Sequence, residues 1–342
     1  MKPRSFLPGH AITGNSISDF DRARRLALAG MAAAGLALMR QPAHAGPLLD
    51  RLRERRAARG GETGGAAEAA GAPAGSMPPG ARTLANQHYG PGPAQVFDVY
   101  LPAEAREAPV IFMVHGGAWA VGDKAMGRVV DAKVARWVQR GFVFVSINYR
   151  MLPEAAPDVQ LRDVARALSV AQEQAPRWGA DPHRFILMGH SAGAHLATLL
   201  AVSPPGGPEA QRFLPVLGTV ALDSAAMDVV SLMSERHLRL YDRPFGTDPA
   251  YWRAMSPTLM MHSGAAPVLA VCSTRREDSC AQAKQFVAQA TRLGVRAASL
   301  GEDLSHAEIN GQLGQEGAYT RAVEDFMASL DESVARRLAR AS

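Results

Sequence analysis

From about residue 83 onward, short apolar runs rich in β-branched residues alternate with stretches of helical periodicity. Residues 94–101, 109–114, 141–147, 184–188, 217–222, 267–272 and 295–300 read as strands, and 125–140, 159–177, 192–202, 279–293 and 316–330 as helices. The apolar strands are continuous rather than alternating, which suits a mostly parallel sheet buried on both faces by helices. This α/β pattern fills one domain, taken here as residues 83–330, with residues 331–342 left as a tail. Residues 46–82 interrupt it: they are rich in Gly, Ala, Pro and Arg and poor in large apolar groups, and so read as a disordered linker.

Composition changes this picture little and charge changes it in one place. Hydrophobic residues make up 47% and charged residues 20% of the 342, enough to bury a core. The formal charge is +5, but residues 1–45 alone carry +4, so the remainder is nearly neutral and offers no basic patch for a nucleic acid. The same segment has the layout of a signal peptide: Arg22, Arg24 and Arg25, then an apolar stretch over 26–39, then Ala43-His44-Ala45 before the expected cleavage. Arg24-Arg25 also resembles a twin-arginine signal, so the export route stays open between the two. Fourteen apolar residues are too few for a stable membrane span, and the expected location is periplasmic or secreted. In an exported protein Cys272 and Cys280, eight positions apart, are a candidate disulfide; reduced thiols are the alternative.

The candidate chemistry begins at Gly189-His190-Ser191-Ala192-Gly193, between a strand and a helix. A serine on such a tight turn is exposed as a nucleophile, and the helix that follows points free N–H groups toward a developing oxyanion. His115-Gly116-Gly117-Ala118-Trp119 follows the strand at 109–114; two glycines there free backbone N–H groups to form half of an oxyanion hole. Gly117 and Ala118, with Ala192, are the expected donors.

Taken together, these motifs resemble the α/β-hydrolase superfamily, in particular esterases with a His-Gly-Gly-x-Trp loop, a group similar to bacterial carboxylesterases and kynurenine formamidase. The resemblance runs from about Gln95 to Leu330 and also rests on Asp98-Val99-Tyr100-Leu101-Pro102, Gly122-Asp123-Lys124, Asn148-Tyr149-Arg150, Pro153-Glu154 and Asp181-Pro182. It implies a Ser-acid-His triad acting through an acyl-enzyme, on a small-molecule ester, without metal or organic cofactor. His306, past the last strand, is the expected base. The acid is expected after the strand at 267–272, where Asp278 is favoured and Glu277 is the alternative; Asp303 is a more distant one. The family's Gly-x-x-Asp pattern is missing from that loop. Asp223 and Asp228 are read as structural or loop-capping, and His190 and His195 as packing residues. The segment 224–266, apolar and rich in Met, is either a small lid or ordinary core. Short acyl or small aryl esters are the expected substrates, with formamidase-like amide hydrolysis and a non-catalytic binding protein as the other readings. Oligomeric state is left open.

Overall fold

The computed structural model describes residues 77–203 and 213–339. The proposed signal segment and most of the linker lie outside the described residues. Eight strands form one sheet in the order β1-β2-β4-β3-β5-β6-β7-β8. They are β1 (Arg82–His88), β2 (Val96–Leu101), β3 (Ala108–Val114), β4 (Val143–Ile147), β5 (Ala180–His190), β6 (Gly218–Leu222), β7 (Val268–Ser273) and β8 (Ala297–Glu302). β1 and β2, and β2 and β4, pair antiparallel; every other pairing is parallel.

Strand periodicity divides the core. On β3, Val110, Phe112 and Val114 point to one face, where α2 (Pro157–Gln174) and α3 (Ala192–Val202) pack. Ile111 and Met113 point to the other, which is covered by α1 (Gly127–Lys133) and by two helices near the C-terminus described below. Both faces are therefore buried, which is why the central strands read as unbroken apolar runs. α3 is buried all round, as a helix caught between the sheet and further chain must be.

The sequence reading missed several elements, two of them at the margins of the domain. β1 lies on the sheet's edge, is largely exposed and carries Arg82, Asn86, Gln87 and His88, so no apolar run announced it. Its first residue falls inside the stretch read as linker. The stretch read as a tail holds α11 (Glu332–Leu338), in which Val334 is fully buried; it follows α10 (Ala318–Ala328). Between β6 and β7 the chain forms four short helices, α4 (Val229–Ser234), α5 (Asp242–Phe245), α6 (Pro249–Ala254) and α7 (Pro257–Met260). Tyr241, Phe245 and Met255 join the main core while Leu238 and Leu240 stay exposed, so this insert is both core and surface.

Candidate active site

Ser191 stands between β5 and α3 with φ +55° and ψ −119°, a region that L-residues avoid unless their surroundings enforce it. Three constraints enforce it. A Cβ on Gly189 would come within 2.3 Å of Gly193 O, and one on Gly193 within 2.2 Å of Val114 O. The Ser191 N–H donates to Leu222 O at the end of β6, at 2.9 Å. The two glycines of the motif are thus needed for close backbone approach, and the neighbouring strand fixes the turn.

The glycine loop after β3 lies against this turn. A Cβ on Gly116 would sit 2.7 Å from His190 O and 2.9 Å from Ser191 Cβ. Gly117, Ala118 and Trp119 all take positive φ (125°, 49° and 58°), so the backbone of the loop is turned through three successive unusual conformations. Its shape is held from below: Gln160 Nε2 and the Leu152 N–H donate to Trp119 O, and the Tyr149 hydroxyl donates to His115 O. Trp119 packs on Phe245 with ring centroids 4.9 Å apart, and its Nε1–H donates to His195 Nδ1 at 3.3 Å. His195 Nε2–H in turn donates to Met255 O at 2.7 Å. Burial pushes His195 down to about 4, so the ring is neutral and can both accept and donate in this way. His195 is therefore the packing residue expected, with a defined tautomer.

The other quoted motifs form a supporting frame. Lys124 pairs with Asp98 at 2.9 Å, both buried, and its N–H donates to Asn148 Oδ1. Arg150 bonds both oxygens of Asp163.

His306 opens α9 (His306–Gln312), capped by Ser305 and Glu308 in a reciprocal capping box. The opposite end of this helix is bound by Lys133 Nζ, which donates to Asn310 O at 2.5 Å. Burial pushes this ammonium down to about 7. His190 Nε2–H donates to His306 O at 2.9 Å and the two rings lie 4.4 Å apart. The residue preceding Ser191 thus ties the serine turn to the backbone of His306, a role beyond the packing expected of it.

The structure does not bring Asp278 to His306. Asp223 stands there instead: His306 Nδ1–H donates to Asp223 Oδ2 at 2.6 Å. Asp223 follows β6 at φ +52° and its side chain is wholly buried. Oδ2 also accepts from Arg276 Nη1 at 3.0 Å; Oδ1 accepts from the Ser273 N–H at 2.8 Å and from the Ser279 hydroxyl. Burial pushes the Asp223 carboxyl up, but the bond from His306 and the Arg276 charge outweigh it and hold it well below the usual carboxylate range. Asp278 is half-exposed at the start of α8 (Glu277–Arg292), bonded to Arg276 Nη2 at 3.1 Å and to the Ser279 N–H. Glu277 faces solvent and Asp303 pairs with Arg275. The physical reason is local: helix α8 starts at Glu277, which turns both carboxylates outward, while Arg276 fills the space between them and His306. Asp228 caps α4, accepting from the Ser231 N–H, as read.

Cys272 and Cys280 are joined as a disulfide. It brackets the loop from which Ser273, Arg276 and Ser279 reach Asp223. Among the described residues no cluster of His, Cys, Asp or Glu has the makings of a metal site, and no helix is long and apolar enough to cross a membrane.

An eight-stranded, mostly parallel sheet with a serine at a strained strand-to-helix turn and a His–Asp pair at the same end of the strands is the α/β-hydrolase fold. The BD-FAE family model matches residues 97–208. The chain is 30% identical over 257 residues to esterase LipQ of Mycobacterium tuberculosis, a match covering 70% of this chain and 60% of that one. It is 36% identical over 110 residues to a probable isoprenylcysteine alpha-carbonyl methylesterase of Oryza sativa, covering 32% and 26%. These matches span between about a quarter and three fifths of the curated relatives' length. Among solved structures, a truncated carbohydrate esterase from gut microbiota superposes with TM-score 0.62 at 19% identity, covering 76% of this chain and 97% of that one. Esterase B from Lactobacillus rhamnosis does so with TM-score 0.62 at 17% identity, covering 77% and 89%.

Proposed function

We propose that this chain is an exported serine esterase that hydrolyses carboxylic esters of short acyl or small aryl groups through an acyl-enzyme. His306 takes the proton from Ser191 as its hydroxyl attacks the ester carbonyl, and Asp223 holds the imidazole by its Nδ1–H and stabilises the imidazolium. The N–H groups of Gly117, Ala118 and Ala192 receive the oxyanion. Water, activated by the same histidine, then releases the acid.

The observation that carries this reading is the His306–Asp223 hydrogen bond beside a serine held at positive φ. A structural turn needs neither the strain nor the buried carboxylate. The esterases among its relatives support the reaction, and the methylesterases among them are consistent with a small alkoxy leaving group. The packed Trp119, Tyr241 and Phe245 beside the glycine loop favour small acyl groups. Export rests on the N-terminal segment and agrees with the disulfide, since such bonds persist in oxidising compartments.

The test is labelling with a fluorophosphonate probe, followed by a panel of p-nitrophenyl esters of rising chain length beside N-formylkynurenine. An adduct on Ser191 and fastest turnover of acetate to butyrate are expected. No adduct in folded protein would overturn the hydrolase reading, and preference for N-formylkynurenine would replace ester by amide hydrolysis.

A further inference from the structure

We propose that Arg276 is a positioning residue for this reaction: its guanidinium locks the Asp223 carboxylate and, held against His306 Nδ1, opposes a second proton on the imidazole. The inference rests on the ester-hydrolysis reading of Ser191, His306 and Asp223 and adds a fourth residue to it.

The geometry is unusual for a catalytic pair. Arg276 Nη1 lies 3.0 Å from Asp223 Oδ2 and 2.8 Å from His306 Nδ1, so one guanidinium nitrogen touches both members. Nδ1 gives its proton to Asp223, at the shorter distance of 2.6 Å, and so has no lone pair for Arg276. The guanidinium there is a cation held beside a ring rather than a partner bonded to it. Its side chain is only 14% exposed, which limits screening by water.

Two consequences oppose each other. The Arg276 bond, with those from Ser273 and Ser279, leaves the carboxylate no freedom to rotate away from His306. The charge, however, stands beside the ring nitrogen whose proton Asp223 holds, and so opposes the stabilisation that Asp223 gives a cationic ring. The groups against the ring are Asp223 from the end of β6, His190 from β5 and Arg276 just before α8; Asp278 and Tyr241 stand behind Arg276, and Lys133 stands behind His190. His190 is neutral, because burial and the neighbouring His306 push it well below its ordinary value. On the ring's own helix, Glu308 is taken up by Ser305 and Arg275. The balance at Nδ1 therefore falls between Asp223 and Arg276, and Asp278 adjusts it through Arg276 Nη2.

That arrangement predicts opposite signs for two substitutions. Arg276→Gln should raise the acid limb of the pH–kcat/KM profile for p-nitrophenyl acetate by about one pH unit. Asp278→Asn, which frees Arg276 of a counter-charge, should lower it by roughly 0.3 unit, as fits a partner partly screened by water. Arg276→Lys should keep the limb within about 0.3 unit of wild type, because a charge remains. NMR titration of the His306 ring reads the same shifts without turnover, so an inert wild-type protein would sink the esterase reading while leaving this one decidable. Should the Gln variant fail to fold, the Asn and Lys variants carry the decision. Limbs and ring midpoints of the Gln or Asn variant that coincide with wild type, or that move in the same direction for both, or a Lys variant that moves by a full unit, would overturn the proposal.

Discussion

Replacing Asp223 by Asn changes one atom at the most constrained position of the site. The carboxylate accepts four hydrogen bonds, two on each oxygen. An amide keeps one oxygen, and its NH2 must face donors whichever way it turns. With NH2 at the Oδ2 position it opposes both His306 Nδ1–H and Arg276. With NH2 at the Oδ1 position, the Ser279 hydroxyl can rotate to accept, and only the Ser273 N–H is left without a partner. The second orientation costs less, on the order of 1–3 kcal/mol for the buried unpaired donor. Arg276 retains Asp278, so its charge is not orphaned. A fall in Tm of roughly 2–6 °C follows for a domain of this size. The catalytic loss should be far larger: without a carboxylate the imidazolium loses its counter-charge, and kcat falls by about 10⁴, or about 5 kcal/mol of transition-state stabilisation. Asp278→Asn and Glu277→Gln should stay within about threefold of wild type at pH 8, since neither side chain touches His306. The assay is kcat/KM on p-nitrophenyl acetate for all three variants, with thermal melts to show that each is folded. Retention of more than a tenth of wild-type kcat/KM by Asp223→Asn, with collapse of either other variant, would refute the assignment and restore the loop after β7 as the source of the acid.

Two further outcomes follow from the same contacts. Asp223 is held below its unfolded value of 3.8, so the stability it contributes is complete above that pH and is lost as pH falls through the folded value; urea midpoints should drop from pH 5 to 2.5, and drop less in Asp223→Asn. Replacing Cys272 and Cys280 by Ser should lower stability by about 2–3 kcal/mol on chain entropy for so short a loop, and mass spectrometry without reductant should find no alkylatable thiol in the wild type.

The serine turn and the glycine loop were legible because their constraints are local. Gly189, Gly193 and Gly116 are glycines since backbone or a neighbouring side chain occupies the space a Cβ would need, and such needs leave their mark in five-residue motifs. His306 was legible from its place after the last strand. Asp223 was not, because its identity as the partner of His306 is decided across 83 positions by where β6 ends and how α9 docks. Its nearest sequence signal, a buried apolar strand ending in Leu222-Asp223-Ser224, is equally that of a capping aspartate. The loop after β7 carries two carboxylates in the place a family pattern directs attention to. Only the observed start of α8 shows them turned outward, with Arg276 in between. β1 and α11 were missed for the opposite reason: their sequences are too polar at the sheet edge, or too short at the chain end, to set up a period.

Because β5 and β6 are hydrogen-bonded neighbours, with His190 opposite Leu222, Ser191 and Asp223 are consecutive steps off a single strand pair. Their separation is inherited from sheet register, as fixed a spacing as a fold possesses. The insert between β6 and β7 then bears none of the burden of setting the distance from Ser191 to Asp223. A segment that keeps Phe245 and the Met255 carbonyl against Trp119 and His195 could replace the rest of it, and the expected result is altered substrate choice with the reactive centre intact. For an engineer, the exposed turn around Leu238 and Leu240 is the part of this protein that can be treated as replaceable.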